Sequence, residues 1–306
     1  MKLNQIQALV AIAETGSIRA AAAKVGLTQP ALSKSLQSLE EELSVSLVHR
    51  TSRGVNLTPF GQAMLTRGRG IAQEVDRLRE QIEQMRGAQQ GTINLAVSPS
   101  PSVILLPQAL SRFRREYPDV QLRIREAVFP DTLQMLREGL ADIALGAHPE
   151  IKKNKQPEFL VERLYYNRLV VTGRVGHPKA GAGSLSELLD CDWLLHGPEE
   201  GPGSMYAPVF KAHQLQPPLP SVISQSFIAT LTLLEGSDAL SLLPERLIRR
   251  LIVSRRLIML PIRELTPRLD VSMIVRANQP LTPVAQKLLQ ILRRTSPSNA
   301  DLPEMG

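Results

Sequence analysis

Two hydrophobic rhythms that no single secondary-structure element can share meet at Gly87-Ala88-Gln89-Gln90-Gly91. Before this stretch, apolar residues recur every three to four positions and capping residues separate the runs; after it, short β-type runs alternate with helical ones. The switch calls for at least two folding units, one mostly helical and one α/β, and 306 residues leave room for both.

In the first rhythm, Leu3, Ile6, Leu9, Val10 and Ala13 trace one helix, which Thr15-Gly16-Ser17 interrupts. Ser17 is placed to cap a second helix over Ile18 to Val25, and Gly26 ends it. Thr28 then caps a third helix, where Pro30 lies in the first turn and needs no amide donor, and Leu32, Leu36, Leu39 and Leu43 run down one face. Two helices joined by a Gly-containing turn form a helix-turn-helix. At about 100° per residue Leu36, Leu39 and Leu43 fall within roughly 40° of Leu32, whereas Pro30, Lys34 and Gln37 lie roughly 140° to 200° from it. Gln29, Ser33, Lys34 and Gln37 are hydrogen-bonding residues suited to base edges and phosphates. Any amphipathic helix has a polar face, so the pattern alone leaves a solvated surface open as the alternative.

The stretch Leu47 to Leu57 reads as strand, turn, strand, with Arg50 and Arg53 at the tip, followed by Thr58 capping a helix that starts at Pro59. A two-stranded wing there would bring both arginines to a phosphate backbone or a minor groove. Charge points the same way. Residues 1–69 carry eight Lys and Arg against four Glu, and no acidic residue lies between Leu43 and Arg69. Neutralised phosphates release counterions, which favours such a segment on DNA, although the chain's net charge of +7 is also within the range of an ordinary protein.

The run Ala20-Ala21-Ala22-Ala23, Gly26, Thr28-Gln29-Pro30-Ala31-Leu32-Ser33, Leu39-Glu40, Arg50-Thr51, Arg53-Gly54-Val55, Leu57-Thr58-Pro59 and Gly61 resembles the winged helix-turn-helix of the bacterial LysR-type transcriptional regulators. The length and layout of the remaining chain agree with that family. The resemblance implies a regulator that binds double-stranded operator DNA as a dimer or tetramer and answers to a small-molecule effector, with RNA polymerase as a further candidate partner. It also implies that Gln29, Pro30, Ser33, Lys34, Arg50 and Arg53 touch DNA; Gln37 joins them from the helical-face argument.

Independently of that resemblance, Phe60, Met64, Ile71, Val75, Leu78, Ile82 and Met85 follow four-three spacing with one gap near Arg67 and Gly68. This is a coiled-coil seam, which favours a homodimer through a long linker helix; a helix packed on its own domain is the alternative.

Beyond residue 91, Thr92 to Val97 reads as a strand, Val103 to Tyr117 as a helix, Val120 to Val128 as a strand, Asp131 to Glu138 as a helix and Asp142 to Gly146 as a strand, an α/β unit with a parallel sheet. A second unit begins near Leu160, with strands near Leu169, Trp193, Val222 and Ala239 and helices after Ser184, Gly203, Ser226 and Leu243. The strand Asp270 to Arg276 and the helix Thr282 to Arg294 have no partner in it. The resemblance implies that they return to the first unit, giving a two-lobed, periplasmic-binding-protein-like effector domain with a cleft between lobes. The expected domains are a winged helix-turn-helix at 1–58, a linker and dimerisation helix with its hinge at 59–90, and an effector domain at 91–306. Lobe I would cover about 91–160 and 267–295, and lobe II about 161–266.

Loops at the carboxyl ends of parallel strands are where α/β sheets bind ligands. Ser98-Pro99-Ser100-Pro101-Ser102 follows the first strand and opens a helix, so Ser98, Ser100 and Ser102 could cradle an anion at a helix N-terminus, or simply cap it. The other strand ends offer Val128, Phe129, Ala147, His148, the loop with Gly203 and Ser204, and Phe227, which by resemblance line the cleft. A second helix N-terminus at Gly203 would face Ser100 and complete an amide-lined pocket. Each has a plainer role open to it: Phe129 and Phe227 as packing, His148 as a hydrogen-bonded loop residue, the glycines as a turn. The family resemblance favours an aromatic or other organic acid as effector.

Other classes lack their signatures. There is no Gly-x-Gly-x-x-Gly, Gly-Lys-Ser/Thr, His-Glu-x-x-His or Gly-x-Ser-x-Gly, the five His are scattered, and nothing nominates a nucleophile, so no catalytic residue, metal or cofactor is expected. Cys191 is alone, within Leu188 to Leu195, and reads as a structural thiol rather than a redox sensor. Apolar runs fall short of the roughly 18 residues of a membrane span, and the N-terminal residues lack a signal peptide's apolar core, so a cytoplasmic protein with no membrane partner is expected.

Overall fold

The computed structural model describes residues 1–51, 54–148, 157–252, 256–264, 266 and 268–298, with only the backbone of Arg50. The described chain divides into two compact units, the first being essentially Met1–Ala88.

In the first unit, α1 (Leu3–Thr15), α2 (Ile18–Lys24) and α3 (Gln29–Leu43) precede the antiparallel hairpin of β1 (Val48–Thr51) and β2 (Gly54–Leu57), and α4 (Pro59–Met85) follows. The caps fall where the sequence puts them: Ser17, Thr28 and Thr58 hydroxyls accept from the amides of Ala20, Ala31 and Gly61. Leu9, Ile12, Ala21, Leu32, Leu36, Leu39 and Leu47 form one buried cluster. Leu43, in the last turn of α3 before Ser44 turns left-handed, stays exposed.

Two tethers fix the wing to these helices. The Glu40 carboxylate accepts from the amides of Leu47, at 2.6 Å, and Val48, at 3.2 Å. At the hairpin's other strand, the Val55 amide donates to Gly16 O, and Gly54 beside it has φ +135°, where a Cβ would lie 2.7 Å from that same oxygen. The start of α4 is as tight, since a Cβ on Gly61 would come within 2.0 Å of Leu47 O.

α4 buries Gly61, Leu65, Gly68 and Ala72 along one face, and Met64 packs at the edge of the helical core. Much of the seven-residue seam faces outward instead: Phe60 is 60% exposed, Leu78 56% and Met85 73%, with Ile71 and Ile82 also exposed.

The second unit has two lobes. In the first, β3 (Gly91–Val97), β4 (Val120–Glu126), β5 (Ile143–Ala147), β6 (Phe159–Asn167) and β12 (Leu269–Arg276) form a sheet of order β4-β3-β5-β12-β6. The helices α5 (Pro99–Ile104), α6 (Leu106–Glu116), α7 (Asp131–Arg137) and α11 (Pro283–Thr295) accompany it. One core cluster joins Ile93, Leu95, Phe113, Leu288 and Leu292; a second holds Ala96, Phe129, Leu133, Leu136, Ala144 and Ile274. The other lobe contains β7 (Leu169–Arg174), β8 (Leu194–His196), α8 (Tyr206–Lys211), β9 (Val222–Ser224), α9 (Phe227–Gly236), β10 (Ser241–Pro244), α10 (Glu245–Leu251) and β11 (Leu257–Met259). β7 is flanked antiparallel by β10 and β11, β8 pairs parallel with β9, and a bridge between Trp193 and Leu240 links the two ribbons.

Four expectations need correction. The helix read over 103–117 is two helices that begin at Pro99 and break at Leu105, because Pro107 cannot donate back to Val103 and its ring crowds that carbonyl. The first sheet is mixed rather than parallel, with β12 antiparallel to both β5 and β6. β6 pairs with β12 along its length, so the chain leaves the first lobe after Asn167 and not near Leu160. The segment after Ser184 makes only a 3-10 turn, Leu185–Leu188.

Where the two crossovers run side by side, the Thr266 hydroxyl receives the Leu169 amide at 3.1 Å and donates to the Leu169 carbonyl at 2.8 Å.

Candidate DNA interface and effector cleft

The three leucines that bury the inner side of α3 leave Gln29, Pro30, Lys34 and Gln37 exposed and Ser33 half-buried on the other. Gln37 donates to Glu41 at 2.9 Å, whereas Lys34 makes no ion pair among the described residues. The helix thus presents an uncommitted ammonium and short polar groups near its N-terminal end, the arrangement with which a recognition helix meets a major groove. Arg50 pairs by its backbone with Val55 in the wing; its side chain, and all of Arg53, lie outside the described residues.

A cleft of about 620 Å³, counting its open mouth, lies between the lobes of the second unit. The first lobe contributes Ser98, Pro99, Ser100, Val128, Ala147 and Asn167, and the second His196, Pro202, Phe227 and the turn from β10 into α10. Most of these follow or end parallel strands, the position that loop geometry favours for ligands. Among the described residues, the lining has no Asp, Glu, Lys or Arg.

At the head of α5, Pro99 and Pro101 carry no amide hydrogen, so Ser100 supplies the only backbone donor among the helix's first three residues. The buried Ser100 hydroxyl stands 3.3 Å from the Tyr165 hydroxyl and accepts from Asn167 Nδ2 at 3.0 Å. The Asn167 side-chain oxygen takes the Arg246 amide at 3.3 Å. Burial pushes the Tyr165 hydroxyl up to about 12, so it keeps its proton in this network.

Of the residues expected from sequence, Ser98, Ser100 and Phe227 border the cleft, as do Val128 and Ala147, and the others do not. Ser102 is half-buried one turn on, its amide bonded to Ser98 O. Phe129 is buried edge-on to His148. His148 is also buried and fully bonded: Nδ1 donates to Gly146 O at 3.0 Å and Nε2 accepts from the Thr132 hydroxyl at 2.9 Å. Burial holds its pKa down to about 4. The second amide pocket does not form, because the Gly203 amide is bonded to Pro198 O and both donors of Ser204 turn back to Gly201 O. Cys191 packs beside the Trp193 core, where burial pushes its thiol up and away from redox reactivity.

Sequence reasoning missed Asn167 and His196. Both end strands, β6 and β8, and the same carboxyl-end rule that selected Ala147 would have found His196 one residue further on. Asn167 needed β6 to be recognised, and that strand's burial does not alternate, since Val161 and Arg163 are exposed between the buried Phe159 and Tyr165.

The domain description "LysR substrate binding domain" matches residues 86–297, and "Bacterial regulatory helix-turn-helix protein, lysR family" matches residues 3–62. The chain belongs to the LysR family. As a LysR-type protein it is a DNA-binding transcriptional regulator with an effector-binding domain, not an enzyme. A "Probable nitrogen assimilation transcriptional activator" of Synechococcus elongatus is 37% identical over 47% of each chain. The "SDS degradation transcriptional activation protein" of a Pseudomonas species is 28% identical over 97% of this chain and 99% of its own. Among solved structures, CbnR, a LysR family transcriptional regulator, superposes with a TM-score of 0.71 at 20% identity, covering 97% of this LysR-type chain and 100% of its own. Full-length CbnR complexed with its target DNA gives a TM-score of 0.70 at 20% identity, over 96% and 100%. These matches bear out the winged helix-turn-helix and the two-lobed α/β effector domain. No described helix is long and apolar enough to cross a membrane.

Proposed function

We propose that this regulator grips operator DNA through the outer face of α3 and the wing, and that a small molecule held between the lobes changes its affinity or the bend it imposes. The observation that carries the reading is the pairing of an exposed polar recognition face with an open interlobe cleft in one chain. Phosphate contacts from the wing arginines Arg50 and Arg53 set register, while Gln29, Pro30, Ser33, Lys34 and Gln37 face base edges. An effector with unequal affinity for two lobe arrangements shifts the population between them and with it the DNA-bound state.

The proposed division keeps the DNA-binding module at 1–58, the linker helix and hinge at 59–90 and the effector domain from 91 onward. The outward apolar stripe of α4 supports a homodimer. Exposed Leu219, Ile223, Ile228 and Leu233 on the second unit offer a further apolar surface, which supports assembly to a tetramer. Its place of work is the cytoplasm, at its operator, with RNA polymerase as a neighbour.

A gel-shift series across salt concentrations tests the DNA surface. Lys34→Ala should lower specific binding, and unaltered binding would remove α3 from the interface. Arg53→Ala should weaken all sequences alike and flatten the salt slope by about one unit.

A further inference from the structure

A second cavity, of about 780 Å³ counting its open mouth, lies in the second unit beside the crossover that returns to the first lobe. It shares Leu169 with the interlobe cleft and, among the described residues, nothing else. Leu185, Met259, Leu260, Pro261 and Ile262 give it an apolar wall, and three of them, Leu185, Leu260 and Ile262, belong to the buried core of the lobe. An apolar wall beside a few convergent polar groups is the usual make-up of a small-molecule site.

Arg168, Glu245 and Arg249 form the polar side. The buried Glu245 divides its carboxylate: Oε2 accepts from Arg168 Nε at 3.0 Å, and Oε1 accepts from Arg249 Nε at 2.8 Å and lies 2.7 Å from Arg249 Nη2. One anion thus serves two guanidiniums. Arg249 is half exposed, and its Nη1 has no partner among the described residues. A guanidinium carries five N–H donors in one plane, so this unspent edge can still take an oxygen acceptor at the cavity's border. Glu264 borders the same space, but its Oε1 accepts the Ser184 hydroxyl at 2.6 Å and the Leu185 amide at 2.8 Å, and its Oε2 is buried beyond the touch of solvent. The adjoining residues outside the described set, 253–255, 265 and 267, include no Asp or Glu. The charge open to a ligand is therefore cationic. A neutral molecule would leave the Arg249 edge to water, a cation would meet like charge, and a dianion would carry more charge than one edge satisfies.

We propose that this cavity is a second small-molecule site of the effector domain, taking a monocarboxylate with an apolar tail or ring, whose body lies on the wall of Leu185, Met259 and Leu260 and whose carboxylate accepts from Arg249. The site does not depend on what the interlobe cleft binds.

Titration calorimetry on the full chain with octanoate, octanamide and octylammonium tests both the ligand class and the place. On the parent protein octanoate should bind at least about 10-fold more tightly than either of the others, which keep the chain and lose the anion. Arg249→Gln should bring octanoate and octanamide within about 2-fold of each other. Val170→Trp, which fills the cavity from a half-buried border position, should abolish octanoate binding, whereas Ala147→Phe, which fills the interlobe cleft, should retain it. The comparison of the three ligands needs no variant, so the ligand class is tested even where Arg249→Gln or Val170→Trp folds poorly. Octanamide or octylammonium binding as tightly as octanoate overturns the ligand class. Octanoate binding that is lost in Ala147→Phe and kept in Val170→Trp puts the ligand in the interlobe cleft and overturns the site, as does failure of octanoate to bind.

Discussion

Replacing Glu40 by alanine should loosen the wing before it disturbs the helices. In the folded protein this one carboxylate receives the amides of Leu47 and Val48, and both residues are buried. Alanine leaves two buried N–H groups without an acceptor, at about 1–3 kcal/mol each, so the N-terminal unit loses about 2–6 kcal/mol. For a unit of this size each kcal/mol corresponds to about 4–8 °C, and even the lower bound predicts a drop of about 8 °C or more. Glu40→Gln keeps an oxygen in place and loses only the ionic part of the bonds, so it should fall between parent and alanine. Thermal unfolding of the full chain followed by circular dichroism reads the N-terminal transition. A gel shift at 25 °C reads the wing separately, since DNA affinity should fall while α1 to α3 remain folded. If Glu40→Ala melted within about 2 °C of the parent and bound DNA unchanged, the tether would be incidental and the argument from unpaired amides refuted.

Gly61→Ala forces a methyl against Leu47 O and should cost about 3 kcal/mol or more, read as loss of soluble protein or of the N-terminal transition; normal melting would contradict the close approach. Ser100→Ala strips partners from the Tyr165 hydroxyl and from Asn167, lowering effector-domain stability by about 1–3 kcal/mol in a denaturant titration, with no change expected if those bonds are dispensable. The double change Leu78→Arg with Ile82→Arg should turn an oligomer into a monomer by light scattering, and an unchanged mass would return α4 to a purely intramolecular role. His148 is neutral when folded, with its pKa lowered to about 4 from 6.5, and takes up a proton on unfolding. Stability should therefore fall as pH drops from 6.5 towards 4, by up to about 1.4 kcal/mol per pH unit, and His148→Gln should flatten the slope.

The N-terminal unit was legible because its constraints are local. Ser17, Thr28 and Thr58 cap the helices they precede, and Leu32, Leu36 and Leu39 need only the helical period to find one face. The effector domain was less so. β6 has a mixed burial pattern and owes its place to β12, a strand about a hundred residues later, so nothing local marked it as part of the first sheet. The same distance hid Asn167. His148 looked like a pocket residue because it follows a strand, but Thr132, on a different element, takes its second nitrogen. Gly203 and Ser204 suggested an anion cradle, and the turn they make consumes their own donors. Strand ends could be located from sequence, whereas which polar atoms there stay unspent depended on partners that only the folded chain brings up.

The hydroxyl of Thr266 that clasps both backbone groups of Leu169 gives the effector domain a fulcrum. Two parallel connections fastened at one point resist sliding along each other more than turning about that point. Leu169 also borders the interlobe cleft, so a bound molecule acts close to the pivot, on the short arm of a lever. A small change in spacing there becomes a larger swing at the far ends of the lobes. Thr266→Val, which keeps the shape and removes the clasp, should therefore blunt the DNA response to effector more than it weakens effector binding, and equal losses in both would deny the pivot its role.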